Sequence, residues 1–308
     1  MVRPIILSAI VLSFGLQACN YHEVTGLVDV IDDEEPVVAQ GRKIPVMVLD
    51  YSPMPGQYVN VAPPYSSGDD AASMAMKAEE YIGRGYFVSL GAWGGSITLY
   101  LEDPIYHRPS GRDFRVLGNA FYNNTSRKPP YFGASEPGII LVSADADEDG
   151  RPDEWFEIRG SESSSDQAPI TVVYRMPQSE DVRDVEWSAD DGDSGIIEAN
   201  MFHLQPYYPQ WISRDELSYT GRRLPDNGYF SASLNQYVQT CYDYGYADTH
   251  PDTSDASVIN LAWAVDSDGN PVELPSIRFI KVYTGVLQCN IVTGECSTEV
   301  GGVEVPAE

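Results

Sequence analysis

The residues whose types and spacing could do chemistry are Asp145, Asp147 and Asp149, followed by Gly150 and Asp153. They stand at positions 1, 3, 5, 6 and 9 of a loop of the kind that surrounds calcium with oxygen ligands. The glycine supplies the backbone angle that a tight turn around an ion requires. We therefore predict that the four aspartates bind a structural calcium ion. The alternative is a solvated acidic turn, since Asp-Gly is also a common hairpin signal.

The segments that must position this loop are predicted to be strands. Residues 139–143 and 155–158 flank it, and both have the short apolar pattern of buried strands. Phe156 occupies position 12, where an EF-hand has a bidentate glutamate. The sequence therefore predicts a calcium site in a β-hairpin loop and not an EF-hand.

A second candidate site consists of aromatic residues in two stretches that do not alternate like strands. Large rings with polar ends can stack on sugars or on a flat macrocycle and also form hydrogen bonds. The predicted ligand-binding residues are Tyr207, Tyr208, Trp211, Tyr242, Tyr244 and Tyr246. The alternative is that these rings only cover the core beneath long loops.

The rest of the pattern predicts an all-β protein, a β-sandwich or jelly roll with long loops and one short packed helix. The helix is expected over residues 71–82, with Asp69 and Asp70 as caps and Gly83 at its end. Strands are expected over 96–101, 139–142, 170–175 and 277–286, and a late strand carries Ile259, Leu261, Trp263 and Val265 on one face.

The first residues have the pattern of an export signal. An apolar run from Ile5 to Leu16 is too short to span a bilayer, and the segment ending at Cys19 resembles a bacterial lipobox. We expect a lipoprotein signal peptide over 1–18, a lipid on Cys19, an acidic tether over 19–41 and a β-sandwich domain over 42–308. The alternative is an ordinary signal peptide with an incidental cysteine.

The other three cysteines suggest one disulfide. Cys289 and Cys296 flank a short segment that could close a hairpin, and export to an oxidising compartment would favour their bond. Cys241 is then the odd residue, expected as a buried free thiol.

Charge restricts the possible partners. With 19 Lys and Arg against 46 Asp and Glu, the formal charge is −27. A field of that sign repels phosphate backbones and anionic lipids, so we expect no nucleic-acid partner and membrane contact only through the lipid anchor.

Two patterns that resemble catalytic sites are weak. The segment Gly192-Asp193-Ser194-Gly195 resembles a serine-protease nucleophile, but its acidic surroundings disfavour an alkoxide and no histidine segment supplies a base. The four histidines have no metalloprotease spacing. We therefore predict no enzyme; a glycoside-active enzyme using paired carboxylates is the main alternative.

Several segments together resemble a group of cell-surface lipoproteins of Bacteroidota. The segments are Pro55-Gly56-Gln57-Tyr58-Val59-Asn60, Ser89-Leu90-Gly91-Ala92-Trp93-Gly94-Gly95-Ser96, Leu117-Gly118-Asn119-Ala120-Phe121, Ser135-Glu136-Pro137-Gly138, Asp153-Glu154-Trp155-Phe156-Glu157, Gly160-Ser161-Glu162, Tyr208-Pro209-Gln210-Trp211 and Phe279-Ile280-Lys281-Val282-Tyr283-Thr284. The resemblance implies an outer-membrane accessory to a TonB-dependent transporter, one that captures a glycan or a cobamide. It implies no particular functional residue.

These observations lead to one functional expectation. The chain is expected to be a lipid-anchored, surface-exposed, calcium-stabilised β-sandwich that binds a cobamide or a glycan as a nutrient without chemistry. An adhesion or scaffold module that binds a protein is the third possibility, beside the glycoside-active enzyme.

Overall fold

The structure, a computed structural model, describes residues 41–126, 128–163, 168–179, 183–200, 202–290 and 292–307. The predicted signal peptide, the predicted lipidation site Cys19 and the predicted tether up to residue 40 lie outside the described residues. All described elements belong to one unit, Ala39–Glu308.

Twenty-two strands and one α-helix are found in the described part of the chain. The helix α1 is Ala71–Gly83. In chain order the strands are β1 Arg42–Ile44, β2 Val46–Ser52, β3 Val88–Ser89, β4 Ser96–Tyr106, β5 Arg115–Leu117, β6 Phe121–Tyr122, β7 Phe132–Ala134, β8 Gly138–Ser143, β9 Phe156–Ile158, β10 Ile170–Arg175, β11 Val185–Ala189, β12 Ser194–Ile197, β13 Glu216–Gly221, β14 Gly228–Ser231, β15 Gln236–Thr240, β16 Tyr246–Ala247, β17 Ala264–Val265, β18 Ser276–Thr284, β19 Cys289–Asn290, β20 Gly294–Glu295, β21 Glu299–Val300 and β22 Gly302–Val305.

The largest sheet contains the principal core. Its strand order is β17-β9-β8-β18-β4-β2, and β16 also pairs with β8. The long strands β4 and β18 lie side by side and antiparallel in this sheet. On β4, Ile97, Leu99 and Leu101 are fully buried because residues two apart on a strand point to the same side. This alternation fixes which side of the sheet faces the core.

Helix α1 covers part of that core with one stripe of apolar side chains. The Asp70 side chain accepts the Ser73 N–H at 2.8 Å, and the Ser73 hydroxyl accepts the Asp70 N–H at 2.7 Å, which forms a capping box. Met74, Ala78 and Ile82 are the buried residues of the helix, at helical spacing. The predicted helix and its Asp70 cap are confirmed.

The fold also contains two four-stranded sheets. The sheet β12-β11-β10-β13 buries Val172, Tyr174 and Leu217 in a second core cluster, and the Tyr174 hydroxyl donates to the Trp93 carbonyl at 2.8 Å. The sheet β14-β15-β7-β6 presents aromatic residues and is described below.

Several antiparallel sheets and a single short α-helix in the described chain confirm the all-β, sandwich-like prediction. No described helix has the length and apolarity that crossing a membrane requires.

The predicted late strand is wrong. Leu261–Trp263 form a 3₁₀ turn, and only Ala264–Val265 continue as a strand. The Asn260 side chain accepts the Ala262 N–H at 2.8 Å, and the buried Asp113 carboxylate accepts the Leu261 N–H at 2.7 Å. These side chains offer the backbone donors an alternative to a sheet ladder.

Candidate functional site

The aspartate loop connects β8 to β9, which pair antiparallel, so the predicted hairpin is confirmed. Each of Asp145, Asp147 and Asp149 places one carboxylate oxygen within 4.8 Å of the others. Two oxygens bound to one calcium ion at about 2.3–2.6 Å can be at most about 5.2 Å apart. The three carboxylates are therefore close enough to share an ion.

Hydrogen bonds within the loop hold the carboxylates in place. The Gly150 N–H donates to Asp145 Oδ1 at 3.3 Å, and the Asp149 N–H donates to Asp147 Oδ1 at 3.3 Å. Gly150 has a φ of +77°, in the region that glycine tolerates best. Asp153 lies outside the group of three; its Oδ2 accepts the Ala146 N–H at 2.8 Å and closes the loop.

The predicted aromatic platform is not formed, because most of its rings are buried and they lie in different clusters. Tyr207 and Tyr208 belong to the second core cluster, with 0% and 7% of their surfaces exposed. The Tyr208 hydroxyl donates to the Arg214 carbonyl at 2.7 Å, and burial raises the pKa of both tyrosines to about 12. These two rings are core residues.

The other predicted rings are also placed elsewhere. Tyr242 and Tyr246 belong to a third core cluster, with ring centroids 5.4 Å apart. Trp211 is partly buried and stacks on Tyr51 at 5.8 Å, whereas Tyr244 is exposed. Since four of the six rings are buried, the alternative that aromatic residues cover the core is correct for those four.

The predicted disulfide is also not formed. Cys289 pairs with Glu295 in the short hairpin β19–β20, and the Cys296 N–H donates to the Gln288 carbonyl at 3.0 Å. Cys296 therefore belongs to the opposite face from Cys289. Cys289 packs against the second core cluster and Cys296 lies in the third, and both are free thiols. Cys241 is a buried free thiol, as predicted.

An aromatic surface that the sequence did not reveal lies on the sheet β14-β15-β7-β6. Paired residues of antiparallel strands share a face, as do residues two apart on one strand. The pairs that define this face are Tyr229↔Val238, Thr240↔Phe132 and Phe121↔Ala134. Three aromatic side chains, Phe121, Phe132 and Tyr229, therefore lie on one face, which we call the aromatic face.

The aromatic face is accessible and adjoins a depression. Tyr229 is 50% exposed and Phe121 is 57% exposed. Phe132 and Tyr229 line an open depression of about 450 Å³, together with Thr125, Lys128 and the Pro129–Pro130 pair. A volume of roughly 300–1,000 Å³ is typical of small-molecule sites. The arrangement offers ring faces for stacking and polar groups at the rim.

No family model matches this sequence, and no curated protein is similar enough to be counted as a relative. The function is therefore inferred from the geometry of these surfaces. They define an all-β protein with an accessible aromatic face and an acidic hairpin loop.

Proposed function

We propose that this protein is a non-catalytic binding domain that holds a neutral glycan on its aromatic face. The observation that carries the proposal is the placement of Phe121, Phe132 and Tyr229 on one accessible sheet face beside a depression. Sugar rings have apolar faces formed by C–H groups, which stack on aromatic rings. Their hydroxyls could form hydrogen bonds with the Lys128 ammonium and the Thr125 hydroxyl, which also line the depression.

The aromatic rings, and not charge, favour a glycan over a cobamide. The formal charge of −27 opposes the binding of anions, but a neutral glycan carries no charge, and the phosphodiester of a cobamide is balanced by its positive cobalt–corrin centre. Three aromatic side chains on one open sheet face suit stacking on sugar rings. Cobamide binding remains the second ligand class and is part of the test.

Binding without chemistry is favoured by the residues that line the depression. Hydrolysis of a glycosidic bond ordinarily uses two carboxyl groups that flank it. The described residues that line the depression include no Asp or Glu. The aromatic face therefore supports capture of a glycan and not its cleavage.

We also propose where the protein acts and what stabilises it. A lipid on Cys19 would tether the domain to the outer membrane, exposed at the cell surface, where it would hold a nutrient for a TonB-dependent transporter. Calcium bound by Asp145, Asp147 and Asp149, with Asp153 closing the loop, would stabilise the β8–β9 hairpin. Support for the calcium comes from the close approach of the three carboxylates.

The test compares two neighbouring residues of β14. Tyr229→Ala removes a ring from the aromatic face, whereas Phe230→Ala removes a ring from the opposite face of the same strand; Phe230 is 62% exposed. Calorimetric titration with a panel of neutral oligosaccharides should show binding by the unmodified protein and by Phe230→Ala. Tyr229→Ala should reduce the affinity at least about tenfold, which corresponds to roughly 1.4 kcal/mol.

Two further measurements distinguish glycan binding from cobamide binding and from glycan cleavage. Cyanocobalamin is titrated in parallel, and reducing ends are measured after long incubation with each glycan. Tyr229→Ala and Phe230→Ala with equal affinities would overturn the aromatic face as the site. Release of new reducing ends would overturn binding without chemistry.

A further inference from the structure

Three acidic side chains meet inside the fold, away from the aromatic face and the aspartate loop. Glu136 precedes β8, Asp248 follows β16, and Glu299 lies on β21. Since β16 pairs with β8, the Glu136 N–H donates to the Asp248 carbonyl at 2.9 Å. The Glu299 N–H donates to Asp248 Oδ2 at 3.0 Å and brings the third acid to the same place. We call these residues the buried triad.

The backbone around Asp248 is arranged to hold its carboxylate at a fixed point. The Asn119 and Ala120 N–H groups donate to Asp248 Oδ1 at 2.8 and 2.9 Å. A Cβ atom on Gly118 would lie 2.4 Å from the same oxygen, so this close approach requires glycine. Asp248 itself has a φ of +50°, a backbone region that costs energy for most residues other than glycine.

The distances in the buried triad suit a single ion. One carboxylate oxygen from each of Glu136, Asp248 and Glu299 lies within 4.8 Å of the others. That separation is below the roughly 5.2 Å that two ligands of one calcium ion can reach. Asp248 and Glu299 are 3% and 8% exposed and Glu136 is half-buried, so water screens the charges of Asp248 and Glu299 poorly.

One oxygen of the buried triad has no N–H or hydroxyl donor. Glu299 Oε1 accepts the Ser297 hydroxyl at 3.1 Å, but no N–H or hydroxyl of the described residues donates to the buried Glu299 Oε2. The Glu136 and Glu299 carboxyls lie within hydrogen-bond reach of each other, so without a cation they must share a proton. Leaving a buried carboxylate oxygen unpaired is costly, and native structures rarely do so. An oxygen of this kind beside two other carboxylates indicates a cation or a proton.

Positively charged side chains do not compensate the buried triad. No Lys, Arg or His of the described chain forms an ion pair with any of its three acids. Three uncompensated charges are therefore unfavourable here near neutral pH.

We propose that Glu136, Asp248 and Glu299 together bind one calcium ion inside the fold. The group consists of oxygen ligands and contains no His or Cys, which excludes the usual ligand set of zinc. Calcium accepts several carboxylates in irregular geometry, whereas magnesium demands a near-ideal octahedron and usually keeps several waters. A bound ion would connect β8, β16 and β21, which are far apart in sequence.

The experiment measures bound calcium in a protein whose aspartate loop has been disabled. The full chain carrying Asp147→Asn and Asp149→Asn is dialysed against trace calcium, and bound metals are counted by mass spectrometry. About one calcium ion per chain should remain, whether or not the loop binds calcium. Adding Glu299→Gln, which keeps the shape of the side chain, should remove that ion.

Glu295→Gln is the matched control. Glu295 is 2% exposed and also has an unpartnered Oε2, but it lies outside the buried triad. This variant should keep the ion, and circular dichroism checks that each variant is folded. If Glu299→Gln does not fold, Asp248→Asn replaces it. Absence of metal in the loop-disabled protein, retention of calcium by Glu299→Gln or Asp248→Asn, or magnesium in place of calcium would each overturn the proposal.

Discussion

Each of the three described cysteines is in an environment that suppresses the thiolate. Burial raises the pKa of Cys241 to about 11 and that of Cys289 to about 12, and it holds the pKa of Cys296 well above its usual range. The thiolate is the reactive form, so native thiols of this kind react slowly.

A thiol count tests this arrangement directly. An unreduced fragment beginning at Gly41 should give three thiols with Ellman's reagent after denaturation, because Cys241, Cys289 and Cys296 are all free. Before denaturation, at pH 8, the same fragment should react only slowly. A count of one after denaturation would mean that Cys289 and Cys296 had formed the disulfide after all.

Residue placement was predictable from the sequence only where it is determined locally. The carboxylates of the aspartate loop converge through hydrogen bonds that stay within residues 145–153. The aromatic face depends on pairing between β15 and β7, which are about a hundred residues apart. Nothing local distinguishes the exposed Tyr229 from the buried Tyr207, and the buried triad has the same long-range origin.

At the scale of elements, helix α1 offers a direct test of core packing. Met74 is fully buried, whereas Met76, two residues later on the same helix, is 66% exposed. Met74→Ala should lower the free energy of unfolding by about 2–5 kcal/mol, because it removes buried contacts and leaves a cavity. Met76→Ala should change it by less than about 0.5 kcal/mol.

The two substitutions are compared by thermal denaturation, and the same change of residue type keeps helix propensity constant. Only the Met74 variant should lose several degrees of Tm. Equal losses in both variants would mean that α1 does not pack through this stripe.

Elements were predictable where one periodicity dominates. Residues 170–175 became a strand, and residues 71–83 became the helix that their apolar spacing predicted. The prediction of a late strand was wrong because the Asn260 and Asp113 side chains accept hydrogen bonds from the Ala262 and Leu261 N–H groups. Asp113 is about 150 residues away along the chain, so no local pattern could have indicated its hydrogen bond.

At the scale of the whole molecule, the dominant fact is the excess of acid, 46 Asp and Glu against 19 Lys and Arg. Such a charge destabilises a compact state through self-repulsion. The aspartate loop and the buried triad each concentrate three carboxylates within 4.8 Å. Cations bound at these places would lower the repulsion where it is greatest, so we expect the stability of the whole molecule to depend on calcium.

The dependence of stability on calcium is the last prediction. Calcium at 100 times its dissociation constant should add about 2.7 kcal/mol per site to the free energy of unfolding, because it binds the folded state. Asp147→Asn with Asp149→Asn should reduce the rise in Tm between chelator and calcium. The control, Asp191→Asn with Asp268→Asn, removes the same charge from two other exposed turns and should keep the full rise. If the two double variants show equal rises, the loop is a solvated turn, and any remaining calcium effect belongs to the buried triad, which both variants retain.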